Sequence, residues 1–205
     1  MTVTNSYATL AEFKIYSTVR GATTGADAND DTAMEDILEL ASRYIDGQTG
    51  RRFYANSVDE TRYFIASKDS YCETDDMSAA PTTVSVDYDN DRTYSALDSG
   101  DYELDPINAL LDGRPYTAMY IHPTSAEYFP QDTRNGVKIV GKFGFPSVPD
   151  DIKELTLAMA QNIYAGRSGQ TNNGNISVTA SGIVIRPQDV PDWGQLIIRK
   201  YRKYR

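Results

Sequence analysis

The chain has 205 residues, of which 40% are hydrophobic, and carries a formal net charge of -9 at pH 7. This length can bury one core but is short for two domains of ordinary size, so we expect one domain with an inserted lobe. The single cysteine, Cys72, excludes an intramolecular disulfide and, without nearby Cys or several His, a thiolate zinc site. The sequence begins without a secretory signal pattern and contains no membrane-spanning apolar run. These features predict a soluble protein of a reducing compartment.

Charge is distributed unevenly along the chain. From Asp151 onward there are eight Lys or Arg and four Asp or Glu, so this last quarter carries about +4 and the first 150 residues about -13. An acidic body with a basic tail suggests that the tail makes a charge-complementary contact. The alternative is a solubilising helix end, because cations favour a helix C-terminus. The basic residues at the end are Arg199, Lys200, Arg202, Lys203 and Arg205.

The first predicted element is a short amphipathic helix. Residues 7–19 place Phe13 and Ile15 at roughly helical spacing, and Thr9 opens the segment. Residues 20–30 are rich in Gly, Thr, Asn and Asp and predict a flexible link.

A longer helix is predicted over residues 32–48. Asp30 or Asp31 would cap its start, and Gly47 and Gly50 would close it. Apolar residues recur at three- and four-residue steps, which predicts one buried stripe. The stripe consists of Met34, Ile37, Leu38, Ala41, Tyr44 and Ile45.

Between residues 58 and 143 the hydrophobic period changes from helical to alternating, which indicates strands. This segment is predicted to be an inserted β-rich lobe. It holds most of the 15 tyrosines, which would suit either a protein-contact surface or the packing of strands. The candidate strands are residues 62–66, 83–88, 92–97, 102–104, 117–122 and 137–143.

The clearest helix start in the sequence follows this lobe. Pro149 precedes two aspartates, and Asp151 with Glu154 forms a D-x-x-E pattern that predicts a capping box. Gly166 and Gly169 would end the helix. Its predicted buried stripe is Ile152, Leu155, Met159 and Ile163.

The remaining chain alternates between polar and regular segments. Residues 170–175 predict a polar loop, and residues 176–186 predict a pair of strands broken at residues 181–182. A last amphipathic helix with a basic end is predicted over residues 190–205, with apolar positions Trp193, Leu196, Ile197 and Tyr201. The predicted fold is therefore α+β. It has an α-helical bundle core (residues 1–57 and 144–205), an inserted β-rich lobe (residues 58–143) and a C-terminal basic helix or tail.

Four aspartates superficially follow the ligand spacing of a calcium-binding EF-hand loop. They are Asp87, Asp89, Asp91 and Asp98. The pattern fails because Arg92 occupies the position that requires glycine, and because strands rather than helices flank it. We therefore expect a hairpin tip with solvated carboxylates.

No catalytic, cofactor-binding or metal site is predicted. His122 is the only histidine and has no nucleophile in a recognised setting near it. The acidic run at Asp75 and Asp76 is interpreted as a loop. Gly141 and Gly144 lack the spacing and the lysine of a phosphate-binding loop. The basic end could contact nucleic-acid phosphates, but the acidic remainder opposes a general DNA-binding surface.

The order of these segments resembles the head-to-tail connector, or adaptor, proteins of long-tailed bacteriophages. One specific piece is the aspartate-opened helix that ends in Tyr-Ile-Asp-Gly-x-x-x-Arg-Arg-Phe at residues 44–53. A second is Gly-x-Phe-Gly-Phe-x-x-Val-Pro at residues 141–149, which starts the helix that ends near Arg167. The closing Tyr-Arg-Lys-Tyr-Arg at residues 201–205 also fits the pattern. The resemblance covers the helical segments; the β lobe is longer than in the compact members.

The resemblance implies a structural protein of the virion neck and not an enzyme. Members of this family form a ring, usually of twelve copies, beneath the portal at the capsid vertex. The ring extends the DNA channel and presents a docking surface to the tail-completion protein. The implied partners are the portal protein, tail-completion or other neck proteins, and further copies of this chain in a dodecamer. Double-stranded DNA would pass through without sequence-specific binding. The protein would be in the host cytoplasm during assembly, with no cofactor and no membrane contact.

In this family the C-terminal segment reaches into the portal ring. By position, the resemblance assigns portal binding to Trp193, Leu196, Ile197, Arg199, Lys200, Tyr201, Arg202, Lys203, Tyr204 and Arg205. Apolar anchors interspersed with cations can bury an apolar face against an acidic partner. We expect this tail to stay mobile until its partner is present.

Two other functions fit the residues. In the first, the tyrosine-rich lobe binds a protein or carbohydrate while the helices only mount it. In the second, paired carboxylates serve an acid-base hydrolase.

Overall fold

The structure is a computed structural model that describes residues 5–19, 28–167, 176–179, 182–185 and 191–203. The chain divides into two compact units: unit 1 comprises residues 1–51 and 148–205, and unit 2 comprises residues 52–147. Unit 1 holds the helices and one β-hairpin, and unit 2 holds two antiparallel sheets. The predicted α+β class is therefore confirmed. Within the ranges given above, no helix combines the length and apolarity needed to cross a membrane.

Helix α1 spans Leu10–Val19 and begins with a complete capping box. The Thr9 N–H donates to Glu12 Oε2 at 2.8 Å, and the Glu12 N–H donates to Thr9 Oγ1 at 3.2 Å. Each side chain thus satisfies a first-turn amide that would otherwise lack a partner. This hydrogen bond from the Thr9 backbone is the largest cause that lowers the pKa of Glu12, followed by Lys153, whose Nζ lies 2.9 Å from Glu12 Oε1.

Helix α2 spans Ala28–Thr49, so it begins before the predicted start. Residues 28–30, predicted as part of a link, are helical; the rest of that segment, residues 20–27, lies outside the described residues. Asp30 and Asp31 lie in the first turn instead of capping it, where their charge suits the positive end of the helix dipole. Gly47 lies inside the helix, and Gly50 ends it with a φ of +66°.

Helix α2 buries one side. Five residues of its predicted stripe are at most 1% exposed: Met34, Ile37, Leu38, Ala41 and Ile45. Tyr44 is exposed, because it lies at the edge of the stripe. Ser42 is buried instead, and its hydroxyl donates to the Leu38 carbonyl and accepts from the Tyr7 N–H.

Helix α3 spans Asp150–Arg167 and is buried on more than one side, because α1, α2 and a C-terminal helix all contact it. Ile152, Leu155 and Met159 are at most 1% exposed, and Ile163 near the far end is only partly buried. Four residues outside the predicted stripe are buried as well: Thr156, Leu157, Ala158 and Ala160.

The predicted ends of α3 need correction. The helix begins at Asp150, so Asp151 lies inside its first turn. The Asp151 carboxylate accepts from the Ile152 N–H and from Lys200 and Tyr201 of the C-terminal helix. Within the described part of the chain it does not form the predicted reciprocal bonds with Glu154. Gly166 lies within the helix, and Gly169 lies outside the described residues.

The C-terminal part of unit 1 adds a hairpin and a fourth helix. Strands β8 (Ile176–Thr179) and β9 (Gly182–Ile185) pair antiparallel, which confirms the predicted pair of strands. Helix α4 spans Asp192–Tyr201 and contacts α2 and α3. The predicted loop at residues 170–175 lies outside the described residues.

Unit 2 contains seven strands in two antiparallel sheets, ordered β1-β7-β3-β4 and β2-β6-β5. A core of Met77, Val86, Met119, Phe129 and Ile139, with several smaller contributions, is essentially inaccessible to solvent. Six of the strands are predicted within a few residues. The strands are β1 Glu60–Phe64, β2 Tyr71–Met77, β3 Thr83–Val86, β4 Ser95–Leu97, β5 Tyr102–Asp105, β6 Tyr116–Ile121 and β7 Val137–Gly141.

Strand β2 is the element that the sequence does not predict. The interpretation of Asp75 and Asp76 as a loop is wrong, because both lie in this strand. Cys72, Thr74 and Asp76 are buried on alternate positions, so the inward face is largely polar and the hydrophobic alternation is hidden. Asp75 is paired with Arg62 at 2.9 Å.

The structure explains why the second glycine of the Gly-x-Phe-Gly-Phe segment, Gly144, is needed. Its φ is +112°, a conformation that L side chains rarely adopt. A Cβ at this position would lie 1.9 Å from the Tyr54 carbonyl oxygen. The Gly144 N–H also donates to the Asp76 carbonyl at 2.7 Å, so the backbone is held close to two other segments of unit 2.

The burial of α3 predicts a large cost for truncating its core side. Leu155→Ala or Met159→Ala should lower the free energy of unfolding by about 2 to 5 kcal/mol, because each leaves a cavity in a fully buried site. Urea unfolding followed by circular dichroism measures this change. Leu40→Ala, at a half-exposed position of α2, is the control and should cost less than about 1 kcal/mol. Equal losses for core and control variants would contradict the assignment.

Candidate docking surface

Helix α4, which carries most of the residues assigned to portal binding, is folded onto its own unit. Its buried residues are Gly194 and Ile198, and Tyr201 is half-buried. Residues 194, 198 and 201 follow one another at four- and three-residue steps, so they form one stripe. Gly194 and Ile198 are not among the residues that the sequence assigns to portal binding, although this spacing could have revealed them. The expectation of a mobile tail also differs from the structure, in which residues 192–203 are docked.

A hydrogen-bonded cluster fixes the end of α4 to the start of α3. Lys200 Nζ lies 2.7 Å from Asp151 Oδ2, and the Tyr201 hydroxyl donates to Asp151 Oδ1 at 3.0 Å. Asp151 raises the pKa of Lys200, because the carboxylate stabilises the ammonium form. The pKa of Tyr201 is also raised, first by burial. Asp151 therefore holds two of the residues predicted to bind the portal.

The next two residues bind the C-terminal end of α2. Arg202 Nε donates to the Gln48 carbonyl at 3.1 Å, and the Lys203 N–H donates to the Thr49 carbonyl at 2.8 Å. The last carbonyls of a helix have no partner within it and carry the negative end of its dipole. Arg202 thus places its cation at a helix C-terminus, that of α2 instead of α4, and Lys203 satisfies a second terminal carbonyl with its backbone N–H.

One face of α4 remains available to a partner. Trp193 is 40% exposed and Leu196 is 65% exposed, and Arg199 follows at the same three-residue step and is also exposed. We call these three residues the outer face of α4. Ile197 is partly buried, and Tyr204 and Arg205 lie outside the described residues. An exposed aromatic and aliphatic pair beside a cation is a composition that suits a protein contact.

In unit 2, Asp87 organises the turn between β3 and β4. Its side chain is 0% exposed, so the expectation of a solvated carboxylate is wrong at this position. Its two oxygens accept from the N–H groups of Asp91 and Arg92, each at 3.1 Å. The Arg92 guanidinium adds a contact at 3.3 Å, with Arg92 at a φ of +73°. Asp89 and Asp91 are exposed as predicted. Asp87 is thus the acceptor of a closed turn.

Exposed tyrosines occur on unit 2. Tyr63, Tyr120 and Tyr128 are each about half exposed, and each ring lies against a second tyrosine. The ring centroids are 5.9 Å apart for Tyr63 and Tyr94, 4.9 Å for Tyr71 and Tyr120, and 4.8 Å for Tyr88 and Tyr128. These tyrosines thus combine solvent exposure with ring packing, and a role as a contact surface stays a prediction.

His122 and Cys72, which were considered for catalysis or metal binding, contact ordinary neighbours or are buried in unit 2. His122 Nδ1 lies 2.8 Å from Thr124 Oγ1, and its Nε2 lies 3.7 Å from a Glu103 carboxylate oxygen. Cys72 is fully buried, and burial raises its pKa to about 12, so the thiol stays protonated at neutral pH. No group of three His, Cys, Asp or Glu side chains that could hold a metal occurs among the residues with described positions.

Comparison with known proteins yields a fold. No family model matches the chain, and no curated protein matches its sequence. The whole of this chain is similar in structure to a chain from the neck of an empty GTA particle, a neck structure computed with C6 symmetry. The two chains share 18% sequence identity with a TM-score of 0.55, and the match covers 100% of this chain and 94% of that chain. At this identity the similarity shows a common fold.

Removing the Asp151 carboxylate should loosen α4. Asp151→Ala deletes the acceptor for Lys200 and Tyr201, and we expect amide exchange in α4 to increase about fivefold, the effect of losing roughly 1 kcal/mol of exposed polar contacts. Hydrogen exchange with mass spectrometry measures this rate. Asp150→Ala, in the same helix turn, is the matched control. Equal exchange in the two variants would show that Asp151 does not hold α4.

The turn at Asp87 should depend on its carboxylate and not on calcium. Asp87→Ala leaves the Asp91 and Arg92 amides without their acceptor and should cost about 1 to 3 kcal/mol in thermal or urea unfolding. The exposed neighbour Asp89→Ala should change stability by less than about 0.5 kcal/mol. The Tm of the wild-type protein should be unchanged by added calcium. A calcium-dependent increase in Tm would instead identify a metal site.

Proposed function

We propose that this protein is a structural component of the neck of a phage-like particle, where copies of the chain form a ring. The observation that carries the proposal is the fold similarity to a neck chain across 100% of this sequence. Because the match covers 100% of this chain, the similarity includes both the helical unit and the β-rich unit. The adaptor-like segments at residues 44–53 and 141–149 support the same assignment independently.

In finer terms, we propose a head-to-tail adaptor that sits beneath the portal, extends the DNA channel and provides a docking surface for tail-completion or other neck proteins. A ring of twelve copies is compatible with the C6 symmetry of the neck that contains the similar chain. Assembly would take place in the host cytoplasm, and the mature location would be the virion neck.

The charge of unit 2 suits passage of DNA without binding it. Residues 52–147 contain eight Lys or Arg and sixteen Asp or Glu, a net charge of about -8. Such a surface repels the phosphate backbone, so a duplex close to it is not retained. This supports a channel role in which double-stranded DNA is a transient neighbour.

The outer face of α4 is our candidate for portal docking. The side chains of Lys200 and Arg202 already contact groups within unit 1, and Lys203 is bound there through its backbone N–H. Trp193, Leu196 and Arg199 are exposed and can meet an acidic partner without breaking those contacts. An aromatic anchor with a neighbouring cation supplies both buried area and charge complementarity.

We assign this protein no enzymatic activity, cofactor or metal. Support comes from Cys72, whose buried and protonated thiol is a poor nucleophile. A second function, a binding module for a protein or carbohydrate, is favoured by the half-exposed Tyr63, Tyr120 and Tyr128 of unit 2. Under that alternative the helices would serve only as a mount.

Portal binding should depend on the outer face of α4. The double variant Trp193→Ala/Leu196→Ala should bind the portal protein at least about tenfold more weakly, because it removes an anchor pair that contributes little to the monomer core. Arg199→Glu should weaken binding more strongly at low salt than at high salt. Surface plasmon resonance with immobilised portal protein measures both effects.

The control variant separates the two functions. Tyr63→Ala/Tyr120→Ala removes a comparable exposed aromatic area from unit 2 and should leave portal binding unchanged. If the tyrosine variant abolished binding while the α4 variant bound normally, the binding-module alternative would replace portal docking through α4.

A further inference from the structure

Large aliphatic side chains are strongly exposed at a few positions. Among the residues with described side chains, six are between 65% and 87% exposed. Val58 and Leu196 are separate in sequence, and the other four form two pairs with four-residue spacing: Ile15 with Val19, and Ile107 with Leu111. One pair belongs to unit 1 and the other to unit 2. Exposed apolar clusters of this kind commonly mark protein contacts.

The pair in unit 2 stands on a braced loop. Between β5 and β6, the Ala109 N–H donates to the Pro106 carbonyl at 2.9 Å, and the Arg114 N–H donates to the Ala109 carbonyl at 2.8 Å. Ala109 is fully buried and anchors the loop to the unit. Ile107 and Leu111 are 77% and 87% exposed on this loop, with the 38% exposed Leu110 beside Leu111. We call residues 107–111 the apolar knob. A braced knob loses little conformational entropy when it binds.

The pair in unit 1 forms a strip along α1. Ile15 and Val19 are 66% and 82% exposed and lie one helical turn apart, so they share a face. Ala11, one turn earlier, is exposed on the same face. We call these three residues the α1 strip. Phe13 and Ser17 form the opposite, buried side of the helix, so the strip contributes little to the core of unit 1.

The charges beside both surfaces have partners of their own. Lys14 of α1 lies 2.5 Å from Asp31, and Asp112 next to the knob lies 2.7 Å from Arg114. A contact between knob and strip would therefore not bury an unpaired charge from these residues, which is the costly event in apolar association. Polar pairs around an apolar centre are also the usual arrangement of an interface rim.

We propose that the apolar knob of one copy of this chain packs on the α1 strip of the next copy. This inference rests on the proposed ring. A closed ring of identical chains joins them head to tail, so each chain needs two different, complementary surfaces. The knob and the strip are two such surfaces, one on each unit and each presented once per chain. The occupant of the knob is thus a second copy of this protein.

Cysteine pairs test the contact directly, because the native Cys72 is buried and its thiol stays protonated. The double variant Ile15→Cys/Leu111→Cys, oxidised briefly with diamide, should give a ladder of disulfide-linked chains. Each single variant should remain largely monomeric under denaturing conditions, because a head-to-tail contact does not bring two identical positions together. Ile15→Cys/Val58→Cys, which uses an equally exposed site off the knob, is the matched control.

Leu111→Asp provides a second measurement that needs no new bond. It should weaken self-association of the full-length chain at least about tenfold in sedimentation velocity, whereas Val58→Asp should not. If the wild-type chain forms a ring but Ile15→Cys/Leu111→Cys yields no ladder, or Leu111→Asp leaves the ring intact, this contact is overturned and the proposed neck function stands. A wild-type chain that shows no self-association alone or on the portal would overturn the ring itself.

Discussion

The first turn of α3 is the constraint on which unit 1 depends. Asp151 binds Lys200 and Tyr201 of α4, and Lys153, two residues later, binds Glu12 of α1 at 2.9 Å. Below this polar turn, Ile152 and Leu155 are completely buried. The apolar side of α3 supplies most of the stabilisation, because buried area outweighs exposed ion pairs. The polar turn links α3 to the two outer helices.

Much of this arrangement could be predicted because amphipathic periodicity is strong in α2 and α3. Other features depend on tertiary partners that periodicity does not reveal. Asp151 has the spacing of a capping residue, yet its oxygens go mainly to α4, which is distant in sequence. Strand β2 is hidden by Thr74 and Asp76 on its buried face, and Asp87 is buried because the amides of its own turn satisfy it. The candidate docking residues were identified by position, and Ile198 was not among them. The spacing of Gly194, Ile198 and Tyr201 could have indicated the inward face, but the exposure of Leu196 on the outward face follows from the packing of α4.

The docked state of α4 changes how a portal contact would form. When a tail folds only on binding, the entropic cost of ordering it weakens the binding. Here the helix is already held by Asp151 and by the carbonyls of Gln48 and Thr49. A partner therefore meets a preformed face, which favours affinity at a small apolar contact. The same unit carries a second exposed apolar surface on α1, so contacts to a portal and to a neighbouring copy need not compete.

The measurement that tests the central claim most directly is the mass of the purified full-length protein, alone and mixed with its portal protein, by light scattering. A neck adaptor should form a ring by itself or join the portal in a fixed, high copy number, with twelve copies expected for a dodecamer. A chain that remains a monomer or dimer and ignores the portal would contradict the account and shift attention to the tyrosines of unit 2.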